Sequence, residues 1–267
     1  MSHYQSAQKL KDKTGRQYHL AVAPQEVAPY ILLCGDPARA EKTAQFFDKI
    51  HYEKRHREYV TYTGVYNESP ISVVATGIGC DNTEIAIVEL SQCVAKPTFL
   101  RIGTCGALQP NIKLGDIIIS TAAMRFENTS SWFAPIEYPA VAHYQIIQMA
   151  LTSAISMGIK HHEGITATCS GFYGAQERTA GGYEPWQTGL IDKLSKLGVV
   201  NMEMEASTLF VLAGIKSFRA GAICTAYANR KKDIFIDPSE ADKAEQNLIK
   251  LGLRIMHSLQ VSDMRFG

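Results

Sequence analysis

Short apolar runs recur along the chain: Tyr30–Cys34 (YILLC), Ile71–Ala75 (ISVVA), Thr98–Ile102 (TFLRI), Asp116–Ser120 (DIIIS), Ile165–Cys169 and Ala220–Thr225. Their length and β-branched content predict strands buried on both faces, since none alternates as a half-wetted strand would. Between them the pattern predicts helices over Pro37–Phe47, Asn82–Val94, His143–Met157, Glu203–Ile215 and Ser239–Leu259. Asp36 precedes Pro37, placing an N-cap and a first-turn proline in register. Strands alternating with helices imply an α/β sheet covered on both faces. With no repeat, low-complexity segment or Pro/Ser-rich linker, residues 1–267 read as one domain, residues 1–17 being a loosely ordered extension.

The strand ends carry more information. YILLC runs into Gly35-Asp36-Pro37, ISVVA into Thr76-Gly77-Ile78-Gly79, and TFLRI into Gly103-Thr104-Cys105-Gly106. In an open α/β sheet, ligands bind at the carboxyl ends of strands. Glycine there lets backbone N–H groups approach an anion, and a following helix N-terminus adds a favourable dipole. Any one of these glycines could simply turn the chain; three at equivalent places point to a site.

Composition excludes several classes. Twenty-seven Lys plus Arg against 26 Asp plus Glu leave a charge of +1, too balanced for a nucleic-acid or membrane-surface binder held by bulk charge. Hydrophobic residues at 46% and charged residues at 20% are those of a folded globule. Cys34, Cys80, Cys93, Cys105, Cys169 and Cys224 form no CxxC pair, the usage of reduced cytosolic thiols. The polar N-terminus has no signal-peptide core and no apolar run approaches membrane-span length, so the expected location is the cytoplasm. No GxxxxGK[ST], HExxH or GxSxG is present, and GIGCDN breaks the dinucleotide fingerprint at Asn82.

The charged residues are placed oddly. Arg101 interrupts an apolar strand, where a guanidinium is costly unless it meets an anion or an internal ion pair. Arg39 lies one turn into the first helix and Arg57 sits in His56-Arg57-Glu58; both also read as solvated charges. Arginines with backbone N–H donors and a threonine hydroxyl make a phosphate-binding set. Glu203 and Glu205 stand among methionines before LFVLAG, where Glu203 could cap the helix and Glu205 could accept from a vicinal diol. Phe172, Gln176 and Arg178 would suit a planar heterocycle bearing carbonyls, or else belong to an exposed loop.

GDPARA, HRE, TGIG, LRIGTCGALQP, FYGAQER and NMEMEAS, in that order, resemble the nucleoside phosphorylase-I family and its uridine phosphorylase branch, from Tyr18 to about Arg230. The resemblance implies a three-layer α/β sandwich around a mixed, partly barrel-like sheet. It implies a phosphate pocket of Gly35, Arg39, Arg101 and Thr104, with Arg57 entering from a neighbouring subunit. Met204 and Glu205 would hold ribose, with His19 reaching over from that neighbour. Phe172 would stack on the base, Gln176 and Arg178 would read its edge, and Arg230 would support Arg178. The catalytic set would be Arg178, Gln176, Arg230 and Glu205. Asn229 stands where purine-cleaving relatives supply an Asp. Inorganic phosphate would be the co-substrate, with no other cofactor except a monovalent cation at Glu58 and Ile78, which Asn82 in place of a family Ser puts in question. The implied assembly is a homo-oligomer sharing sites across a dimer interface, as a trimer of dimers.

The expected activity is reversible phosphorolysis of uridine. The alternatives are purine nucleoside phosphorolysis or nucleoside hydrolysis on the same scaffold, and a non-catalytic nucleoside-binding or storage protein.

Overall fold

The structure is a computed structural model that describes residue 8 and residues 10–266; residues 1–7 and 9 of the expected N-terminal extension lie outside it. The first unit is β1 (Tyr30–Cys34), α1 (Pro37–Ala44), the hairpin β2 (Lys49–His56) and β3 (Tyr59–Tyr66), and β4 (Ser69–Ala75). Then come α2 (Cys80–Ser91), β5 (Thr98–Ala107), β6 (Ile117–Phe126), β7 (Ala140–Val141), α3 (Tyr144–Ser156) and β8 (His161–Cys169). The last part is α4 (Leu190–Lys196), β9 (Asn201–Glu203), α5 (Ala206–Ile215), β10 (Arg219–Asn229), β11 (Ile234–Phe235) and α6 (Pro238–Phe266).

The strands form one mixed sheet in the order β11-β10-β6-β8-β9-β5-β1-β4-β3-β2, and β10 also pairs with β5. That extra pairing closes β5, β10, β6, β8 and β9 into a five-stranded barrel, from which β1, β4, β3 and β2 continue as a wing. Side chains alternate across the sheet as the pleat requires. Leu32, Leu100, Ile102 and Ile223 pack with α1, α3 and α6, while Ile31, Leu33, Phe99 and Ala222 pack with α2 and α5. The expected three-layer α/β sandwich is the observed one. Helix α5 is buried on nearly every side, which its apolar ASTLFVLA sequence allows.

Three expectations change. The run Thr98–Ile102 does not turn at Gly103 but continues as β5 to Ala107, because β10 pairs with it from Thr98 to the end. The helix expected from Glu203 starts at Ala206, since Glu203 ends β9. The hairpin β2–β3 and helix α4 lie where no element was expected; β2 (KIHYEKRH) is mostly exposed and carries no buried-strand signature.

The start of the sheet is tied to the end of α6. Arg219 donates to Asp263 Oδ1 at 2.9 Å, and the Tyr30 hydroxyl donates to the same carboxylate. The hydrogen bonds from Arg219, and secondarily from Tyr30, hold the Asp263 carboxyl below its ordinary range against the effect of burial. A carboxyl lowered on folding contributes stability above its unfolded pKa and loses it as pH falls through the folded one. Asp263→Asn is therefore expected to lower the melting temperature at pH 7, with the gap to wild type narrowing as pH drops through the carboxylate range. Differential scanning calorimetry across pH tests this.

Candidate active site

β5 changes partners along one edge. β1 pairs with it from Thr98 to Arg101, β9 pairs with it only at Gly106 and Ala107, and residues 102–105 have no strand on that side. The cavity opens at this gap. It has a volume of about 790 Å³, within the range of about 300–1,000 Å³ usual for small-molecule sites. Gly35, Arg39, Arg101, Thr104, Phe172, Gln176, Arg178, Met204 and Glu205 all line it, as do Glu58 and Ile78. His19, Arg57 and Arg230 do not.

The loops after β1 and β4 form one wall. The Gly77 N–H donates to Gly35 O at 3.0 Å, and a Cβ on Gly35 would stand 3.2 Å from Gly77 O, so bulk there would push the loops apart. Asp36 caps α1 through Ala38 N at 2.9 Å, aiming that helix start at the cavity. Arg39 extends from the first turn of α1 and is buried. Its Nε donates to Glu245 Oε1 of α6 at 2.8 Å, and its Nη1 reaches Ile102 O at 3.4 Å.

Arg101 lies over Gly103, where a Cβ would meet its Nη2 at 2.7 Å; only glycine leaves room for the guanidinium. Arg101 Nε donates to Glu203 Oε2 at 3.0 Å, and Nη2 pairs with Glu205 Oε2 at 2.5 Å. Burial opposes its charge, but the two glutamates outweigh that and raise its pKa. Glu203 also accepts from Thr168 Oγ1 at 2.6 Å and from the N–H groups of Glu205 and Ala206 at 2.9 and 3.0 Å, so it caps α5 while holding Arg101. Glu205 Oε1 accepts from Gly79 N at 2.7 Å. Burial raises the Glu205 pKa, Arg101 opposes the rise, and Glu203 adds to it.

A third group faces the same space. Arg178 stacks over Phe172 at 4.0 Å and donates through Nη1 to the Gln176 side-chain carbonyl and to Phe172 O. Burial and repulsion from Arg230 lower its pKa to about 10, which leaves it cationic at neutral pH. Arg230 Nη2 donates to Gln176 O at 3.1 Å, so Arg230 fixes the Gln176 backbone and raises the field on Arg178 without touching the cavity. Asn229 is fully buried. Its amide donates to Gln109 O and Ile112 O and accepts from Lys231 N and Lys232 N, leaving nothing for a ligand.

His19 and Arg57 form a separate cluster. His19 Nδ1 bonds Glu89 Oε1 at 2.7 Å, and Arg57 stacks on Tyr18 at 5.0 Å beside a hollow of about 600 Å³ lined by Tyr18, Lys54, Arg55 and His56. Arg57 sits in the β2–β3 turn at φ +54°, a left-handed conformation costly for a non-glycine residue. Sequence reasoning missed Tyr227 and Phe235, an edge-to-face pair on the cavity wall, and Glu245 behind Arg39. The aromatics flanking Asn229-Arg230 were a usable signal; Glu245, one of many charges in α6, gave none. No group of three or more His, Cys, Asp or Glu side chains suited to a metal occurs among the described residues.

The arrangement gathers two buried arginines and a threonine hydroxyl, a buried carboxylate, and an aromatic–amide–guanidinium face around one cavity. These features define an α/β protein with a small-molecule-sized cavity into which cationic, acidic and aromatic side chains converge. Residues 29–257 match the family model of the phosphorylase superfamily, and the chain belongs to that family. It is 44% identical to a uridine phosphorylase of Thermococcus kodakarensis, over 90% of this chain and 87% of that protein. It is 35% identical to the uridine phosphorylase of Escherichia coli, over 88% and 94%. A guanosine phosphorylase of Halorubrum lacusprofundi is 33% identical, over 87% and 93%.

Removing one partner of a buried ion pair leaves the other uncompensated, at a cost of roughly 3–5 kcal/mol. Glu203→Ala, which strips Arg101 of one carboxylate and α5 of its cap, is expected to lose stability of that order in urea unfolding.

Proposed function

We propose that the chain is a uridine phosphorylase, a pentosyltransferase that converts uridine and inorganic phosphate reversibly to uracil and ribose 1-phosphate. The observation that carries this reading is that Arg39, Arg101 and Thr104 share one cavity with Phe172, Gln176 and Arg178, with Glu205 bound to Arg101. Phosphate attacks the anomeric carbon as the glycosidic bond breaks, through a ribose resembling an oxocarbenium ion. Such a reaction needs no covalent enzyme nucleophile; proximity and preorganised charge do the work.

In this reading Gly35, Arg39, Arg101 and Thr104 hold phosphate, and Met204 and Glu205 hold ribose. Phe172 stacks on the base, and Gln176 and Arg178 bond its edge. The leaving uracil gathers negative charge on its ring carbonyls. Arg178 has only donors to offer, and Gln176 offers both a donor and an acceptor, matching a ring with two carbonyls and one N–H. A purine leaves more easily when protonated at N7, and Asn229 cannot supply that proton. The names of the relatives at 44% and 35% identity agree with uridine, while the guanosine-named relative keeps a purine as the outcome to test against.

His19 and Arg57, which do not line their own cavity, serve a second copy of the chain across a dimer interface, within a trimer of dimers. A single nucleoside phosphorylase domain works in this way in the cytoplasm; no helix among the described residues is long and apolar enough to cross a membrane. Glu58 and Ile78, where a monovalent cation would sit, line the cavity beside Asn82, the residue that puts that ion in question. Such an ion held there would add positive charge at the rim.

A substrate panel with and without phosphate tests the reaction. Uridine is expected to be consumed only with phosphate, yielding uracil and ribose 1-phosphate. Equal cleavage without phosphate would make the protein a nucleosidase, faster inosine cleavage a purine enzyme, and binding without turnover a storage protein. Arg178→Ala is expected to lower kcat on uridine by about 100- to 1,000-fold with little change in melting temperature; an unchanged kcat removes Arg178 from the base site. Sedimentation is expected to give dimers or larger, and a fully active monomer would refute the sharing of His19 and Arg57.

A further inference from the structure

We propose that Glu245, on α6, is a positioning residue for phosphate, acting through Arg39. The inference rests on the reading that Arg39 faces phosphate. Glu245 is nearly buried, at 7% exposure. One carboxylate oxygen accepts from Arg39 Nε at 2.8 Å and the other from Lys42 Nζ at 2.7 Å. Lys42 also reaches Asp242 at 2.8 Å, one helical turn before Glu245. A guanidinium held by Nε cannot swing about its stem. With Nη1 turned to Ile102 O, Nη2 has no protein partner among the described residues, and Arg39 lines the cavity.

The charges are arranged to serve this. Arg39 and Lys42 are one turn apart on α1 and share the Glu245 carboxylate, one on each oxygen, while Asp242 balances the charge of Lys42. The carboxylate stays ionised: burial would raise its pKa, but Lys42 and Arg39 outweigh burial and lower it. The helix carrying it is itself fixed at the cavity wall, where the Tyr227 hydroxyl donates to Ala241 O at 3.2 Å. Glu245 thus sets the direction of Arg39, and Lys42 holds Glu245 in place through its other carboxylate oxygen.

Steady-state kinetics on the whole enzyme, varying phosphate at saturating uridine and the reverse, test both halves. Glu245→Leu is expected to raise KM for phosphate at least tenfold, with KM for uridine changed less than twofold. Glu245→Gln, which keeps an acceptor for Arg39 Nε, is expected to restore most of the loss. Lys42→Met, at a half-exposed side chain, is expected to raise KM for phosphate several-fold, and this holds the test open if Glu245→Leu does not fold. Thermal shift gives a second readout: phosphate alone stabilises wild type and Glu245→Gln but not Glu245→Leu.

An unchanged or lowered KM for phosphate in Glu245→Leu and Lys42→Met overturns the proposal, as does a parallel loss in both KM values and kcat. Arg39→Met separates the two levels. If it leaves KM for phosphate unaltered, the reading of Arg39 itself fails; if it raises that KM while the Glu245 and Lys42 variants do not, only the inference fails.

Discussion

A positive charge sits in the middle of a barrel strand, and much of the site follows from keeping it there. Arg101 is flanked by Leu100 and Ile102, both fully buried, and its guanidinium keeps only slight exposure, at the cavity wall. A charge in such surroundings persists only when paired and hydrogen-bonded. Glu203 and Glu205 meet that need from the β9–α5 junction, and Gly79 and Thr168 satisfy the remaining lone pairs. The loop after β4, the start of α5 and the end of β8 are thereby drawn to one point.

The second constraint is topological. β5 cannot pair with β1 and β9 over the same residues, and the interval between the two pairings is where the backbone faces the cavity. Barrel closure through β10 allows this, because β10 supports β5 along the whole gap from the other side. An unpaired strand edge is normally a hazard for association. Here it lies inside the molecule, lined by Thr104 and Cys105.

Much of this was legible in the sequence, for reasons that differ by residue. Tyr30–Cys34 was exact because a strand buried on both faces has no polar residue to blur its ends. Arg101 stood out because charge inside an apolar run is rare. Gly103 misled, since glycine reads as a turn unless one sees the guanidinium lying over it. The hairpin β2–β3 was silent because its outer strand is wet, and helix α4 is too short to show a period. Asn229 read as a residue unable to act as an acid, but its four hydrogen bonds to the surrounding backbone could not have been read from one sequence. Glu245 was invisible because partners two hundred residues apart leave no local trace.

Helix α6 runs unbroken from Pro238 to Phe266 and touches both rims of the sheet. Near one end Glu245 meets Arg39 beside the cavity; near the other Asp263 meets Arg219 and Tyr30, where β10 and β1 begin. At about 1.5 Å per residue, the eighteen residue steps from Glu245 to Asp263 span about 27 Å. The helix is a tie-rod bolted at both ends, so slack at the remote bolt is transmitted to the other. A distant loosening of this strut would therefore surface in how firmly Arg39 is held at the cavity wall, not only as a less durable fold.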